Sequence, residues 1–418
     1  MQPTVCGLDF GTSNSTIGIW QGGKPTLVAL EDGKPTLPSA MFFHTEENRT
    51  EMGRAAIQAY TEGAHGRLMR ALKSVLGSSL IHETTRIKHR TLAFTEIIGL
   101  FLAHLKAQAE RQAGAEITHV VMGRPVFFVD DNPAADREAQ NQLEAAARAQ
   151  GFREVMFQYE PIAAALDYEQ QVRAEQLALI IDIGGGTADF AVVRVSPTRA
   201  QQADRKADIL ASQGVHIGGT DIDRLLSLAE VMPLLGKGTR MRARPLEVPQ
   251  RYYHELATWH RINGLFTPQT RLELRQITAE AAEPERLERL RAVVENRLGH
   301  ALAGQVEEAK IRLTDELATS LHLALPHEML AVPLTRTALN AAIAEATEQV
   351  VATAAHTVQQ AGVSPGQIQA LFLTGGSTAI PVIQQRMVAL YPTAQVVQGD
   401  TFGSVGLGLT LSAHRHWG

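Results

Sequence analysis

The sequence predicts an α/β protein made of two related lobes. Strand-like stretches alternate with helix-like stretches over much of the chain, which is typical of layered α/β folds. One local plan also occurs twice: a strand, an acidic residue, a turn that contains glycine and threonine, and a second strand. The acidic residues of the two copies, Asp9 and Asp182, are 173 residues apart. Because this spacing is far longer than a solenoid period, it indicates two lobes and not a repeat array.

The first copy of the plan opens the chain. Thr4–Phe10 is apolar and β-prone, a turn follows at 11–15, and Thr16–Trp20 and Pro25–Leu30 come next. Tight turns separate these stretches, so we expect an antiparallel meander. Cys6 lies in the first stretch and is expected to be a small buried apolar side chain.

Helical patterns occupy the region between the two copies. Phe94–Ala113 carries apolar residues at helical spacing, and the alanine-rich Pro133–Gln150 ends before Gly151, a typical helix stop. Between them, Ile117–Gly123 is a short apolar stretch that predicts a strand. This alternation extends the α/β pattern across the first half of the chain.

The second copy excludes several common site types. Gln176–Ile183 and Asp189–Val195 flank the turn Gly184-Gly185-Gly186-Thr187. The glycine run leads into a strand and not into a helix, which argues against a Rossmann dinucleotide site. The chain also lacks the motif G-x-x-x-x-G-K-[ST] of P-loop proteins, and it has no G-x-S-x-G of serine hydrolases in a strand-to-helix setting.

Between Asp221 and Ile311 the alternation of strand-like and helix-like stretches gives way to a more charged, mainly helical pattern. Glu273–Ile311 is a charge-rich helical region broken at Pro284. Basic residues share the preceding stretch with Pro and Gly: Lys237, Arg240, Arg242, Arg244 and Arg251. We interpret the region as a solvated helical insertion, and a phosphate-binding basic patch is the alternative.

Strand and helix patterns return after this insertion. Thr337–Ala361 predicts a helix and Ala370–Leu373 a strand. A further glycine turn, Thr374–Thr378, precedes a helix that begins at Pro381. The end of the chain therefore belongs to the α/β part of the protein.

Composition narrows the functional class. The 418 residues suggest about two to four domain-sized units of roughly 150 residues each. A formal charge of −5 argues against a nucleic-acid partner, which requires a basic face. We find no apolar stretch long enough for a membrane helix and no secretion signal, so we expect a cytoplasmic protein without a membrane partner. The single cysteine fits a reducing compartment.

The glycine turns are suited to phosphate binding. Glycine has no Cβ and tolerates positive φ, so backbone N–H groups can approach phosphate oxygens closely. Asp9 and Asp182 precede the turns at strand ends, where ligands bind in open α/β sheets. Two carboxylates that face each other across a cleft can hold a hydrated Mg²⁺. For either residue alone, the alternative is an aspartate that caps the following turn.

Six motifs resemble those of a known family. D-F-G-T-S-N-S at Asp9–Ser15, D-I-G-G-G-T-A-D at Asp182–Asp189 and L-T-G-G-S-T at Leu373–Thr378 resemble the phosphate and adenosine motifs of the actin, hexokinase and heat-shock ATPase superfamily. E-P-I-A-A-A-L at Glu160–Leu166, I-G-G-T-D-I-D at Ile217–Asp223 and A-L-K-S-V-L-G at Ala71–Gly77 resemble heat-shock protein 70, the DnaK family. F-Q-Y-E-P-I-A-A-A-L-D-Y-E, V-M-P-L-L-G and G-D-T-F-G-S-V are similar to its short YegD-type branch.

The resemblance implies a two-lobed actin-like ATPase fold, of duplicated ribonuclease-H-like domains, with a nucleotide cleft between the lobes. Lobe I would span 1–186, with an inner core of about 1–38 and 115–186 and an outer subdomain of about 39–114, completed by a C-terminal helix of about 401–418. Lobe II would span 187–400, with an inner core of about 187–225 and 308–400 and an outer helical subdomain of about 226–307.

The resemblance also implies roles for individual residues in binding and hydrolysing Mg-ATP. Asp9 and Asp182 would hold Mg²⁺ through its waters, and Lys73 would neutralise the γ-phosphate. Glu160 and Asp189 would orient the attacking water, and Thr187 would contact the γ-phosphate. The phosphate-side residues would be Gly11, Thr12, Ser13, Asn14, Gly184, Gly185, Gly186, Gly218 and Gly219. The ribose and adenine side would be Glu307, Lys310, Thr314, Gly375, Gly376, Ser377 and Asp400.

The chain departs from the family pattern at two points. Ile311 and Ala379 stand where the family has two arginines that sandwich adenine, so we expect weaker and less selective ATP binding. The chain ends at Gly418, about ten residues past the last motif, so we expect no peptide-binding domain.

The leading functional hypothesis is a chaperone-like ATPase of low turnover, in which lobe closure reports the nucleotide state to an unidentified protein partner or co-chaperone. A non-hydrolysing nucleotide-binding module or filament protein is the first alternative. A sugar or carboxylate kinase of the same superfamily is the second, and the Glu160 motif argues against it.

Overall fold

Two mixed β-sheets of equivalent topology form the centre of the protein. The computed structural model describes residues 4–47, 49–87, 90–129, 132–169, 172–202, 204–243, 246–398 and 403–418. Strands and helices alternate along these ranges, as in the expected α/β class. Within them, no helix combines the length and the apolar character needed to span a bilayer.

The strands are numbered along the chain. They are β1 (Thr4–Phe10), β2 (Asn14–Gln21), β3 (Lys24–Leu27), β4 (Leu37–Pro38), β5 (Ala40–His44), β6 (Thr50–Met52), β7 (Gly66–Arg70), β8 (Thr84–Ile87), β9 (Arg90–Ala93), β10 (Ile117–Arg124), β11 (Glu154–Tyr159), β12 (Gln176–Ile183), β13 (Ala188–Val195), β14 (Ile209–Val215), β15 (Ala318–Ala324), β16 (Met329–Thr335), β17 (Ile368–Thr374) and β18 (Gln395–Gln398).

The helices are numbered in the same way. They are α1 (Gly53–Thr61), α2 (Phe94–Ala113), α3 (Pro133–Arg148), α4 (Glu160–Glu169), α5 (Gly219–Leu226), α6 (Arg251–Ala257), α7 (Pro268–Glu280), α8 (Pro284–Glu295), α9 (Gly299–Asp315), α10 (Arg336–Ala342), α11 (Ala344–Gln360), α12 (Pro381–Leu390) and α13 (Ser404–Trp417).

The first sheet has the order β11-β10-β1-β2-β3, with β4 paired to β2. β1 is antiparallel to β2 and parallel to β10. The expected meander of β1, β2 and β3 is confirmed, but β3 ends at Leu27 and not at Leu30. Leu30 already belongs to the next turn, because its N–H donates to the Lys34 carbonyl at 2.8 Å. α2 and α3 cover one face of the sheet with buried side chains.

The second sheet repeats this plan, with the order β14-β13-β12-β17-β18. Its central strand, β12, is antiparallel to β13 and parallel to β17. The assignment of residues up to 186 to lobe I is therefore wrong. The two strands on either side of the glycine turn, β12 and β13, pair with each other as a hairpin, so both belong to the sheet of lobe II. The boundary between the lobes therefore falls before residue 176.

Two helices are exchanged between the sheets. α4 follows β11 of the first sheet, yet Ile162 and Ala165 pack on the second sheet. α13 follows β18 of the second sheet, yet Leu409 and Ala413 pack on the first. The helices cross where a Cβ on Gly408 would overlap the Ala163 carbonyl, so only glycine permits this approach. Each sheet is thus covered on one face by a helix from the other half.

Each lobe carries an outer part inserted between its third and fourth strands. In lobe I it contains the sheet β6-β5-β7 with α1, which have a small core of their own. In lobe II it contains α6 to α9 and the hairpin of β15 and β16. The charge-rich region expected to be helical corresponds to α7, α8 and α9.

Two elements differ from the sequence-based expectations. The single helix expected over Thr337–Ala361 is two helices, α10 and α11, which meet at the fully buried Ile343. The hairpin of β15 and β16 was not predicted, although its burial alternates as a half-buried strand requires, at Leu321 and Leu323 and again at Leu330, Val332 and Leu334.

Candidate functional site

The turn after β1 is held open by a neighbouring serine. The Ser39 hydroxyl donates to the Gly11 carbonyl at 2.7 Å, and the Ser39 N–H donates to the Ser13 carbonyl at 2.8 Å. Thr12 and Ser13 are half-buried, and Asn14 is exposed. These bonds use carbonyl groups, so the turn presents its N–H groups and hydroxyls to an incoming ligand.

The turn after β12 is fixed from the opposite side by the start of α5. Gly219 N–H donates to the Gly184 carbonyl, and Thr220 N–H donates to the Gly185 carbonyl, each at 2.9 Å. A Cβ on Gly218 would overlap the Gly186 amide nitrogen, so two backbones meet without side chains. Such glycine contacts are the geometry that lets a backbone approach phosphate closely.

The two turns face each other. A Cβ placed on Gly185 would overlap the Ser13 hydroxyl, which belongs to the other lobe. Backbone donors from both lobes therefore converge on one space, and the expectation that the two motifs share a cleft is consistent with this placement.

Asp9 and Asp182 lie at the inner ends of the two turns. Burial raises the pKa of Asp9 to about 7, and the negative charges of Glu160 and Asp182 add to this effect. Burial also raises the pKa of Asp182 to about 7, with further contributions from Asp189 and Glu160. Half-buried carboxylates that repel one another are stabilised by a cation.

Lys73 is the cation that the chain itself supplies. It lies in a single 3-10 turn, Leu72–Val75, preceded by Ala71 in the left-handed conformation at φ +53°. Its Nζ donates to Glu160 Oε1 at 2.5 Å. Burial lowers the pKa of Lys73, but Glu160 and Asp9 raise it more, so its pKa lies above the ordinary value and the ammonium is retained.

Glu160 is directed to the same place by the start of α4. A Cβ on Gly123 of β10 would lie 3.2 Å from Glu160 Cγ and 3.5 Å from Asp9 Oδ1, so glycine leaves room for both carboxylates. In the second turn, the Thr187 hydroxyl donates to Asp189 Oδ2 at 2.9 Å. Lys73, Glu160, Asp182, Asp189 and Thr187 are therefore grouped around the facing turns.

The helix α9 forms one wall of the site. Lys310 is buried, and its Nζ lies 2.9 Å from Asp223 Oδ1 and 3.3 Å from the Gly219 carbonyl. Burial raises the pKa of Asp223 to about 6, partly offset by Lys310. Asp223 was not predicted as a site residue, although it ends the quoted motif I-G-G-T-D-I-D, and this second acidic position was the available signal.

The turn after β17 closes the site behind Asp182. Gly375 has φ +77°, and a Cβ there would lie 2.5 Å from Asp182 Oδ1. Gly376 opens the following 3-10 turn, and Ser377 is buried beside Gly219. The turn after β17 thus lies next to Asp182 and next to Gly219, beside the two facing turns.

The remaining predicted residues lie along α9 and its surroundings. Glu307 is exposed, and the Thr314 hydroxyl donates to the Ile311 carbonyl of its own helix at 2.7 Å. Ile311 is 55% exposed and Ala379 is also exposed, so both can face a ligand. Asp400 lies outside the described residues.

The arrangement brings together what phosphoryl transfer requires. Two glycine turns offer backbone donors, Lys73 offers a fixed positive charge, and Asp9 and Asp182 offer oxygen ligands. In the described part of the chain, no three His, Cys, Asp or Glu side chains are grouped for direct metal ligation. A site of this kind suits Mg²⁺, which keeps several of its waters and takes further oxygens from phosphate.

Comparison with protein-family models gives one match that covers most of the chain. The family is described as Hsp70 protein, and the matched residues are 5–231 and 281–408. The matched ranges include both facing turns, Lys73, the wall helix α9 and the turn after β17.

Proposed function

The chain belongs to the Hsp70 protein family, and from this premise we propose that it binds Mg-ATP between its lobes and hydrolyses it at low turnover. Members of the family are ATPases that use ATP and ADP with Mg²⁺. The observation that supports the proposal best is the convergence of Lys73, Asp9 and Asp182 on the space between two facing glycine turns.

In this proposal the phosphates lie between the turns. Backbone N–H groups of 11–14 and 185–187 would donate to phosphate oxygens, while the Gly184 N–H donates to the Thr187 carbonyl within the turn. Lys73 would neutralise charge that develops on the γ-phosphate, since its ammonium is retained and is held beside Glu160. Ribose would lie against Glu307, Lys310 and Thr314 on α9.

The acidic pair fits a magnesium ion. Burial and neighbouring carboxylates raise the pKa of Asp9 and of Asp182 to about 7, and Lys73 offsets this only in part, which supports a further cation at this place. When bound, Mg²⁺ would neutralise the phosphates and the two carboxylates. Glu160 and Asp189 would accept a hydrogen bond from the attacking water and orient it.

Nucleotide titration in the presence and absence of magnesium tests the proposal. By isothermal calorimetry, ATP should bind with Mg²⁺ present and lose most of its affinity when the metal is chelated, because the phosphates then face two carboxylates. Equal affinity in both conditions would contradict the role of the acidic pair. Absence of any ATP binding to the folded protein would contradict the whole proposal.

A nucleotide-binding module that does not hydrolyse ATP is the second candidate. The exposed Ile311 and Ala379 favour it, because a wall without cations holds adenine less firmly. Single-turnover assays distinguish the candidates: release of phosphate from bound ATP supports the ATPase, and binding without release supports the module.

The motifs F-Q-Y-E-P-I-A-A-A-L-D-Y-E and V-M-P-L-L-G further support placement in the YegD-type branch.

A further inference from the structure

The outer parts of the two lobes touch through a group of aromatic rings. Tyr60 lies in the last turn of α1 of lobe I, and its ring lies 5.1 Å from Trp259 and 4.8 Å from His300, both of lobe II. Trp259 and His300 stack at 5.1 Å with an interplanar angle of 26°. From β7 of lobe I, the Arg70 guanidinium lies 4.5 Å above the Trp259 ring. We call Tyr60, Arg70, Trp259 and His300 the interlobe clasp.

His300 is the buried centre of the clasp. Only 3% of its surface is exposed, and neither ring nitrogen has a hydrogen-bond partner among the described residues. A neutral imidazole leaves one N–H group there without an acceptor, whereas an imidazolium leaves two N–H groups and a full charge without one, which costs more. Its stacking across the lobes therefore depends on the neutral ring.

The charges around the clasp do not compensate a positive ring. Arg70 lies over Trp259, and Arg297 lies over Phe266, whose ring faces His300 edge-on at 6.4 Å. Both are cations. The titratable neighbours are Tyr60, whose pKa is raised by burial, and His260, whose pKa is lowered by burial and by nearby arginines. On α9 itself, Glu307 lies two turns beyond His300, where its charge acts on Arg70.

We propose that the interlobe clasp is an acid-sensitive lock: neutral His300 holds the outer parts of the lobes together, and protonation of its ring releases them. The proposal concerns the lobes and not the nucleotide, so it does not depend on the function proposed above.

The direction and size of the effect follow from linkage. Burial lowers the pKa of His300 to about 4 in the closed arrangement. Once the lobes part, Tyr60 and Arg70 leave the clasp and the pKa of His300 rises toward the ordinary value of about 6.5. The open form therefore takes up the proton more readily, and acid favours opening. Between pH 7.5 and pH 5.5 the closed-to-open ratio should fall through His300 alone, by at most about tenfold.

A second titration acts in the opposite direction. Asp9 and Asp182 have pKa values raised to about 7, and their protonation removes a repulsion between the lobes. Acid therefore favours closure at the inner site while it favours opening at the clasp. A comparison of variants that differ only at His300 separates the two effects, because the acidic pair is common to both.

The test measures interlobe distance in the nucleotide-free protein. Cysteines replace the exposed Ala55 on α1 and Gln276 on α7 for paired fluorescent labels, while the buried Cys6, with its pKa raised by burial, stays unreactive. Single-molecule energy transfer then gives the closed-to-open ratio at pH 7.5 and pH 5.5. The variants are His300→Leu and His300→Phe, two apolar replacements of which either can serve if the other fails to fold. The control is His356→Leu, at an exposed histidine on α11.

The expected result is a response to pH that differs by up to about tenfold between the parent and the His300 variants, with acid opening the parent more than it opens the variants. His356→Leu should behave as the parent does. If a folded His300 variant keeps the parent's response, His300 is not the sensor and the proposal is overturned. A parent that is open to the same extent at both pH values, together with unchanged variants, overturns it equally.

Discussion

Asp9 and Asp182 are carboxylates kept where burial opposes their charge. Each has a pKa raised to about 7, and each lies at the end of a central strand that is otherwise apolar. Folding therefore has to tolerate two unfavourable charges, which is common at functional sites and rare elsewhere. The free energy by which these two charges destabilise the ligand-free protein can be measured.

The first prediction concerns the stability of the ligand-free protein. A carboxylate whose pKa is raised on folding stabilises the fold when protonated, and this contribution is lost as pH rises from about 4 through about 7. Asp182→Asn removes the titration. After allowing for solvent screening, the variant should be more stable than the parent by roughly 1–3 kcal/mol at pH 8 and equal to it near pH 4. Urea unfolding with a chelator present measures both values.

The same experiment has an internal control. Asp315→Asn changes an exposed carboxylate at the end of α9 and should leave the pH profile as it is. If Asp182→Asn proves no more stable than the parent at pH 8, the raised pKa does not describe the protein in solution.

The second prediction concerns Lys73. The Lys73→Ala variant should still bind ATP but release phosphate at least about a hundredfold more slowly in a single-turnover assay, because a fixed positive charge matters most as charge develops in the transition state. Lys237→Ala, in the outer part of lobe II, is the matched control and should hydrolyse at the parent rate. Turnover of Lys73→Ala at the parent rate would show that this lysine has another task.

The third prediction concerns the exposed Ile311 and Ala379. An aliphatic wall contributes buried area without the attraction of a cation for a ring. Replacing both by arginine should tighten ATP binding by roughly 1–3 kcal/mol, a factor of about 5 to 150, in calorimetric titration. Unchanged affinity in the folded double variant would place adenine against other residues.

At the scale of elements, α4 and α13 cross with their backbones in close contact. Gly408 meets the Ala163 carbonyl, and Gly7 of β1 meets the backbone of Thr410 on α13 in the same way. Helices approach so closely only where side chains are absent. The crossing is therefore sensitive to a single methyl group.

The fourth prediction compares two glycines in helices. Gly408→Ala places a methyl group against the Ala163 carbonyl and should destabilise the protein by about 2 kcal/mol or more. Gly304→Ala in α9, where nothing lies within 4 Å of the added Cβ, should stabilise it by about 0.5–1 kcal/mol through helix propensity. Urea unfolding of the two variants measures both shifts. Equal changes in the free energy of unfolding for the two substitutions would mean that α4 and α13 shift easily to make room for a methyl group.

Elements with a regular local pattern were predictable, and contacts between distant segments were not. The bounds of α2 and β12 agree with the expected ones, because their periodicity lies within the element. The site residues of the motifs are brought close together, but their roles stay predictions. His300 and Arg70 carry no local pattern: what makes them notable is the segment each one meets across the cleft.

At the scale of the whole molecule, the exchange of helices means that each sheet needs a helix from the other half to cover one of its faces. Without α4, the second sheet would expose one apolar face, and without α13 so would the first. The hydrophobic burial of each lobe thus depends on the other half. The ligand-free protein should consequently unfold as one unit although its cores are separate.

The fifth prediction uses tryptophans as reporters of the two lobes. Trp20 stacks on His414 at the first sheet, and Trp259 lies in the outer part of lobe II. Two variants in which Trp417 is replaced, together with either Trp20 or Trp259, each retain one tryptophan and should show urea transitions with the same midpoint, matched by circular dichroism. Midpoints that differ between the two reporters would show that the exchanged helices do not couple the lobes.

The helix exchange also implies a symmetry. α4 and α13 each follow the fifth strand of their own half, and each lies on the opposite sheet, so a pseudo-twofold axis runs near the Gly408 crossing. This is the geometry of a domain-swapped homodimer joined into one chain. Each half also inserts, between its third and fourth strands, a segment that delivers a lysine: Lys73 in one and Lys310 in the other. The nucleotide of the proposed site is not symmetric, so the two lysines would diverge there, Lys73 toward phosphate and Lys310 toward ribose.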